Sequence, residues 1–387
     1  MLSGRDYNIL RLFRSKNVGS RTFFKLLNFF GDCEDAIENI NVFNEKYLKS
    51  KNPIIIASKE EIDREIVACS TIGAKIITYM NKEYPQLLRE ISDFPPILTT
   101  LGNFELLNKP SIAIVGSRGA SSNGCNFAIK ISRELGEKGF VITSGFASGI
   151  DTAGHTGALS TGTIAVLGGG IDNIYPRGNE HLYYEIKNKG LIISEFPFGS
   201  VPRAENFPSR NRIVSGLSRA VIIIEAGIRS GTIHTARQAL EQNRELLVVP
   251  GNPYDERSEG CNKLIKEGAT VITCCDDVLE NLKNFKENIV YQNSLSLKDN
   301  INTIFDLNKI ETNNTRVEEI VFKNENNKLE EYTIKEKILS KLNNTPIEIE
   351  LLSLDLNIDI NILNINLIEL ELDGKIHIIN GKVFICY

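Results

Sequence analysis

Short apolar runs alternate with helix-like segments through the middle of the chain, between residues 110 and 282. Each run is long enough for one buried β-strand, and most of the intervening segments carry apolar residues at helical spacing. Strands that alternate with helices form parallel sheets with crossover connections, so this region is predicted to be an α/β domain. The seven strand candidates are 112–115, 140–143, 163–167, 191–194, 221–224, 246–249 and 270–273.

The N-terminal flank has a different pattern. Residues 1–75 carry apolar side chains at helical spacing around a Val18–Gly19 turn, which predicts a helical domain of the SAM or helix-hairpin-helix kind. That turn is either an ordinary helix corner, the preferred interpretation, or a backbone site for a DNA phosphate. Residues 76–109 contain breakers such as Pro95–Pro96 and are predicted to be an irregular connector that packs on the core.

The C-terminal flank begins with a region rich in Asn, Lys and Glu at 283–332, which is typical of a solvated linker. Residues 333–387 are predicted to contain helices followed by a hairpin, because Asn380–Gly381 is a strong two-residue turn signal. This order indicates a winged-helix-like domain. Acidic side chains outnumber basic ones there, and the candidate recognition helix at 359–372 has no Lys or Arg. We therefore do not expect this domain to read DNA.

Three of the central strands lead into polar turns that contain glycine, at 116–119, 144–149 and 225–232. The carboxyl ends of parallel strands share one edge of a sheet, where ligands bind, so the three turns are expected to converge. Glycine lets the backbone approach a ligand, and N–H groups and hydroxyls at helix starts favour anions. Together with Arg118 and the string 210–212 (Arg-Asn-Arg), these turns predict a site for phosphates.

Composition narrows the class of protein. The chain has 387 residues, 42% hydrophobic and 24% charged, which is ordinary for a soluble protein of two or three domains. A net charge of −5 argues against a wholly basic surface but leaves room for a local basic groove. No apolar run approaches the roughly 20 residues of a membrane helix, and no secretory signal is visible, so no membrane partner is predicted. Seven cysteines without a C-x-x-C pair indicate a reducing cytoplasm, and four histidines without ligand spacing indicate no metal site.

The turns do not match the common nucleotide motifs. The turn at 116–119 lacks the G-x-G-x-x-G pattern, and the second strand ends without a ribose-binding acid, which disfavours NAD. No Walker-type loop is present, which disfavours ATP hydrolysis. Asp151 and His155 lie one helix turn apart and do not easily align with Ser148 for nucleophilic catalysis, so they are interpreted as a helix cap and a locally bonded histidine. We predict no catalytic residues, no cofactor and no turnover.

In their order along the chain, these motifs resemble those of the DNA-processing protein A family (DprA, also called Smf). The resemblance covers about residues 1–280 and rests on Ala113 to Arg118, Ser144–Gly145 through Asp151 and His155, Tyr175–Pro176, Ser194–Glu195, Phe207–Pro208 with Arg210–Asn211–Arg212, Ser230–Gly231–Thr232 and Pro250–Gly251. It implies a Rossmann-like core that binds single-stranded DNA, forms a homodimer and loads the RecA recombinase in recombination or natural transformation. By family position, Arg118, Arg177 and Lys263 would hold the DNA backbone.

The residues predicted to bind DNA or phosphate lie in these turns, at the helix starts beside them, or at family positions: Ser117, Arg118, Ser144, Gly145, Gly149, Arg177, Arg210, Asn211, Arg212, Ser230, Gly231, Thr232 and Lys263. Exposed bases are expected to stack on Phe196, Phe198 or Phe207. Two other functions stay open. One is a nucleoside-monophosphate phosphoribohydrolase of the lysine-decarboxylase-like superfamily, whose P-G-G-x-G-T-x-x-E string lacks its glutamate here. The other is a nucleotide-binding scaffold without a DNA role.

Overall fold

The computed structural model describes residues 2–48 and 52–283 and, in the C-terminal region, residues 335, 337–342, 347–356, 358, 363, 366–367, 370–371, 375–379 and 382–385. The chain divides into two units, Met1–Ser296 and Leu297–Tyr387. Apart from residue 283, the predicted linker at 283–332 lies outside the described residues.

The first part of the chain is helical, as its apolar spacing predicts. Its helices are α1 (Gly4–Phe13), α2 (Ser20–Phe30), α3 (Cys33–Glu38), α4 (Ile40–Phe43) and α5 (Lys59–Thr71), and a π-helical turn follows α4 at Asn44–Leu48. Ser3 caps α1 by accepting the Asp6 N–H, and Ser58 forms a capping box with Glu61 at α5. Apolar side chains such as Leu10 and Phe23 form the core of this domain. A phosphate-binding role for the turn before α2 stays a prediction.

A nine-stranded sheet forms the centre of the first unit. Its strands are β1 (Lys75–Thr78), β2 (Ile97–Gly102), β3 (Ser111–Gly116), β4 (Val141–Ser144), β5 (Thr163–Val166), β6 (Leu191–Ser194), β7 (Ala220–Ile224), β8 (Glu245–Val248) and β9 (Thr270–Val271). They lie in the order β1-β2-β6-β5-β4-β3-β7-β8-β9, and β3 to β9 pair in parallel. All seven predicted strands are present, and the α/β prediction is confirmed.

The segment predicted to be an irregular connector adds two antiparallel strands to this sheet. β1 pairs with β2, and β2 pairs with β6, so the connector prediction needs correction. The prolines at 95–96 and the glycine at 102 bound β2 and do not interrupt it, because a strand tolerates breakers at its ends. β2 is buried along nearly its whole length, which removes the alternating pattern that identifies a strand with one exposed face.

Helices cover both faces of the sheet: α6 (Gln86–Arg89), α7 (Ser122–Glu137), α8 (Ile150–Ala158), α9 (Glu180–Lys189), α10 (Asn206–Gly216), α11 (Gly231–Glu241) and α12 (Glu259–Lys266). Successive side chains of β3 enter different apolar clusters: Ile112 and Ile114 pack with α7 and α8, and Ala113 and Val115 pack in the cluster that includes α10 and α11. From β3 the chain builds outward to β6 and then returns to β7 on the other side of β3. The strand order of this doubly wound, Rossmann-like sheet therefore reverses between β3 and β7, where such sheets bind ligands.

The second unit contains the predicted hairpin. Strands β11 (Ile376–Ile379) and β12 (Lys382–Ile385) pair antiparallel, with Ile379 opposite Lys382, so two residues connect them. Strand β10 (Ile347–Glu348) pairs with the other side of β12 and leads into helix α13 (Ile349–Leu356). The turn residues 380–381 and most of the predicted helix at 359–372 lie outside the described residues. The winged-helix assignment stays a prediction.

Candidate nucleic-acid interface

The three predicted turns meet at the carboxyl ends of β4, β3 and β7, which are neighbours in the sheet. The Ser117 N–H donates to the Glu225 carbonyl oxygen at 2.6 Å, and the Ile150 N–H donates to the Ser117 carbonyl oxygen at 3.2 Å. The Thr232 hydroxyl donates to the Gly116 carbonyl oxygen at 3.0 Å. Each turn is thus bonded directly to the β3 turn, and the expected convergence is confirmed.

A pocket of about 120 Å³ opens beside these turns. Its lining includes the turn after β4, the turn after β5, and the side chains of Arg118, Tyr175 and Phe207. Pockets that enclose a drug-sized ligand hold about 300–1,000 Å³. This pocket is smaller, so it suits one phosphate or one base of a longer ligand that runs across the opening.

An exposed cation lies over aromatic rings at the rim of the pocket. The Arg118 guanidinium carbon is 5.2 Å from the centre of the Phe207 ring, a cation–π contact. The Tyr175 ring lies 5.8 Å from the Phe207 ring, and Tyr175 is 51% exposed. A guanidinium that stacks through its face keeps its in-plane N–H groups for hydrogen bonds to an anion. This rim offers a phosphate contact and a stacking surface side by side.

Only one of the three phenylalanines predicted to stack bases, Phe207, lines the pocket. Phe198 packs against a buried apolar cluster, and the Phe196 N–H bonds to the Ser194 hydroxyl. An exposed aromatic residue of the rim that the sequence analysis did not single out for stacking is Tyr175. The signal was a large aromatic residue before a proline in a polar loop, just upstream of Arg177.

Arg210 lines the pocket but is only 3% exposed, and its contact with a phosphate stays a prediction. Its Nη1 donates to the Val166 carbonyl oxygen at 2.7 Å and also to the Gly145 carbonyl oxygen. A Cβ at Gly145 would collide with the guanidinium, so a larger residue there would displace the Arg210 side chain. Burial lowers the pKa of Arg210 to about 10, and nearby Asp151 opposes that shift. Arg210 therefore fastens the turns after β4 and β5 to α10.

The Asp151 carboxylate accepts hydrogen bonds from N–H groups of the turn after β4, which was expected to bind a phosphate. Its Oδ2 accepts the N–H groups of Gly145 at 3.1 Å and Ala147 at 3.2 Å. Asp151 therefore binds the turn before α8, whose N-cap is Gly149, and the predicted helix-cap role is wrong. His155 Nδ1 lies 2.6 Å from the Thr163 hydroxyl, as expected of a locally bonded histidine. Complete burial lowers the pKa of His155 to about 3, so this imidazole is neutral.

Arg212 contacts the N-terminal domain and not the pocket, so its predicted DNA contact also needs correction. It is 7% exposed and pairs with the buried carboxylate of Glu195. Its Nη2 lies 3.3 Å from the Ser20 hydroxyl, and its Nε lies 3.8 Å from the Asp93 carboxylate. Arg14 of α1 donates to the Glu195 carbonyl oxygen at 2.9 Å. Glu195 and Arg212 thus join α1, α2 and α10.

The hydroxyls of Ser144 and Ser230 bond within the protein. Ser144 is buried and donates to the Ile114 carbonyl oxygen at 2.6 Å, so its predicted phosphate contact needs correction. Ser230 caps α11 by accepting the Thr232 N–H at 3.0 Å. Gly149 has a φ of 76°, a conformation that favours glycine, and a Cβ there would strike the Ser117 carbonyl. These groups set the shape of the turns.

Of the thirteen predicted residues, only Arg118, Gly145 and Arg210 line the pocket. Four of the others, Arg177, Asn211, Gly231 and Lys263, keep their predicted DNA contacts only as proposals. Arg177 and Gly231 are exposed, and Asn211 is half-buried on α10. Lys263 is exposed on α12, with its Nζ 3.7 Å from the Glu267 carboxylate.

The profile of the DNA recombination-mediator protein A family matches residues 75–283, and the profile of the DprA-like N-terminal HHH domain matches residues 4–68. The chain belongs to the DNA recombination-mediator protein A family. Its members include DNA processing protein DprA of Streptococcus pneumoniae, 46% identical over 198 residues that cover 51% of this chain and 70% of the relative. DprA of Bacillus subtilis is 39% identical over 225 residues, which cover 57% of this chain and 76% of the relative.

Two solved structures of the family are similar to this fold. The X-ray structure of DprA from S. pneumoniae has a TM-score of 0.61 and 34% identity, and covers 72% of this chain and 98% of that chain. A structure describing the single-stranded DNA binding mode of DprA from Helicobacter pylori has a TM-score of 0.51 and 32% identity, and covers 55% of this chain and 98% of that one. Membership in this family confirms the resemblance drawn from the motifs and does not favour the phosphoribohydrolase alternative.

Two features are absent from the described ranges. None of the helices there is both long and apolar enough to cross a membrane. No group of three or more His, Cys, Asp or Glu side chains in the same ranges could hold a metal ion.

Proposed function

We propose that this chain binds single-stranded DNA across the pocket beside Arg118 and loads the RecA recombinase onto it. The observation that carries the proposal is the exposed Arg118 guanidinium stacked on Phe207 next to Tyr175. Arginine binds phosphate through paired N–H groups, and aromatic rings stack on bases of any sequence. Base faces are covered by neighbouring pairs in a duplex, so a site that uses them selects single strands.

The family supports this proposal. Its members act as DNA recombination mediators, and the H. pylori relative binds single-stranded DNA. As the resemblance implies, the proposal extends to a homodimer in the cytoplasm that acts without a cofactor and without turnover. Sedimentation velocity tests the dimer, a strand-exchange assay with RecA tests loading, and release of free base from nucleoside monophosphates would contradict the absence of turnover.

Substitutions at the rim test the DNA site. Arg118→Ala should weaken binding of a single-stranded oligonucleotide at least tenfold, and Arg118→Glu more strongly, measured by fluorescence anisotropy. Loss of one phosphate contact should also reduce the slope of log affinity against log salt by about 0.7. Phe207→Ala should cost about 1–3 kcal/mol of binding free energy, the usual contribution of one stacked base.

A matched control is Arg133→Ala. Arg133 is an exposed arginine of the same domain, eleven residues beyond the start of α7 and so about 17 Å from the edge that carries the turns. It should bind DNA like the unmodified protein. Unchanged affinity in both the Arg118 and the Phe207 variants would contradict the assignment of the site.

A further inference from the structure

Glu225 spans the crevice between β3 and β7, where the strand order of the sheet reverses. Its carbonyl oxygen accepts the Ser117 N–H at 2.6 Å, and its carboxylate accepts the Ser121 N–H at 2.8 Å and the Ser121 hydroxyl. One residue therefore holds both ends of the loop from Ser117 to Ser121, which carries Arg118.

The surrounding residues are shaped for this carboxylate. Ser121 caps α7, since its hydroxyl oxygen accepts the Gly124 N–H at 2.9 Å while the hydroxyl itself donates to Glu225. A Cβ at Gly124 would lie 2.7 Å from the carboxyl carbon, so a larger residue in this first turn of the helix would displace the Glu225 carboxylate. Glu225 itself has a φ of 51°, a conformation that costs energy for a residue with a side chain. In this conformation the carboxylate makes both of its hydrogen bonds to Ser121.

The carboxylate lies where doubly wound sheets of this kind bind the phosphates of nucleotides, at the start of the helix that follows the first parallel strand. In the part of the chain that the structure describes, no Lys or Arg nitrogen lies within 4.0 Å of it. Its negative charge is stabilised by a backbone N–H, a hydroxyl and the start of a 16-residue helix, and from beyond 4.0 Å by the Arg257 guanidinium. These are the interactions that a bound phosphate would receive.

We propose that the Glu225 carboxylate is a built-in substitute for a nucleotide phosphate. It keeps the Arg118 loop in a fixed shape without any cofactor, and it closes the crevice between β3 and β7 to free nucleotides. The anionic ligand is thereby restricted to the other side of the loop, at the pocket beside Arg118. Glu225 is a positioning residue that determines which phosphates the protein accepts.

Pyrophosphate binding tests this role without DNA. Glu225→Gly removes the carboxylate and suits the left-handed backbone. Glu225→Gln fills the same space: its amide oxygen can accept the Ser121 N–H, and its amide NH2 can donate to the Ser121 hydroxyl oxygen. In calorimetric titrations at constant ionic strength, Glu225→Gly should bind pyrophosphate at least tenfold more tightly than the unmodified protein. Saturating pyrophosphate should raise its Tm by at least about 2 °C. Glu225→Gln should bind pyrophosphate as weakly as the unmodified protein. Because all these proteins keep Arg118, the comparison between them also corrects for pyrophosphate bound at Arg118.

Glu225→Ala opens the same space with the original backbone and is measured in parallel. Equal pyrophosphate affinity in the Gly, Ala and unmodified proteins would overturn the proposal. If neither variant folds alone, each is refolded with and without pyrophosphate. Recovery of folded protein only with pyrophosphate supports the proposal, and no recovery with pyrophosphate overturns it.

A DNA measurement, which rests on the proposed function, separates the two proposals. Glu225→Gly removes the side-chain bonds from residue 225 to Ser121, which hold the loop that carries Arg118. It should therefore bind single-stranded DNA at least threefold more weakly than Glu225→Gln. If the Gly variant gains pyrophosphate binding while its DNA affinity is unchanged, the role of Glu225 stands and the assignment of DNA to the Arg118 loop fails.

Discussion

Replacing Glu195 with alanine is predicted to destabilise the junction between the N-terminal helices and the sheet. Glu195 and Arg212 are 6% and 7% exposed, so water screens their interaction little. Burial raises the pKa of Glu195, and the Arg212 guanidinium opposes this shift, so the carboxylate depends on its partner to stay ionised. Alanine would leave the Arg212 charge with only the Ser20 hydroxyl at 3.3 Å and the more distant Asp93 carboxylate at 3.8 Å.

Removing one partner of a buried ion pair costs about 3–5 kcal/mol, because the other charge stays buried without compensation. Asp93 retains part of the compensation, which favours the lower end, about 3 kcal/mol. For a unit that spans Met1–Ser296 the loss corresponds to a decrease in Tm of about 5 °C. The free energy of unfolding is measured by urea titration followed by circular dichroism, and Tm by a thermal scan.

Glu185→Ala is the matched control. Glu185 lies on α9 and pairs with Lys189 at 3.5 Å, but the two side chains are 32% and 58% exposed. An exposed pair of this kind contributes about 0–1 kcal/mol. The double variant Glu195→Ala/Arg212→Met should be more stable than Glu195→Ala alone, because it buries no unpaired charge. The reasoning is refuted if Glu195→Ala costs no more than Glu185→Ala, or if the double variant is the less stable of the two.

Three further predictions concern the pocket and the C-terminal unit. Gly145→Ala should lower the free energy of unfolding by about 1–3 kcal/mol, because its Cβ collides with Arg210. Gly119→Ala is the control and should change this free energy little, because the space around Gly119 is open. Equal losses of the two variants in denaturant titrations would contradict this prediction. Burial lowers the pKa of His155 from 6.5 to about 3, so only the unfolded chain takes up this proton as the pH falls from about 6.5 to 3. Stability should therefore decrease over that window by up to about 1.4 kcal/mol per pH unit, and His155→Gln should remove this part of the pH dependence of urea unfolding. Removing residues 333–387, where acidic side chains outnumber basic ones, should change the affinity for single-stranded DNA by no more than a factor of about three, under 1 kcal/mol. A tenfold loss of affinity with the core still folded would show that residues 333–387 bind DNA.

The parallel strands were predictable because each is a short apolar run between turn residues, and apolar periodicity is a local property. β1 and β2 were missed because their identity depends on pairing with each other and with β6, which the local sequence does not encode. The convergence of the turns was also predictable, since it follows from parallel strand order alone. The connections that Glu195 makes with Arg14 and Glu225 with Ser121 were not predictable, because the bonded residues are far apart in the sequence.

The Arg-Asn-Arg string at 210–212 was expected to contribute to one phosphate site, and the structure separates its two arginines. Its two arginines lie in α10, and residues two apart on a helix are separated by about 200° around its axis. They therefore contact opposite surroundings: Arg210 bonds to the turns beneath the pocket, and Arg212 pairs with Glu195 at the N-terminal domain. Because α10 includes this string, the two-residue spacing of the arginines excludes one phosphate bound by both side chains. Asp151 partly balances the charge of Arg210, which leaves the attraction for a DNA phosphate chiefly to the exposed Arg118. Arg118 is therefore the residue whose substitution should most directly separate DNA binding from folding.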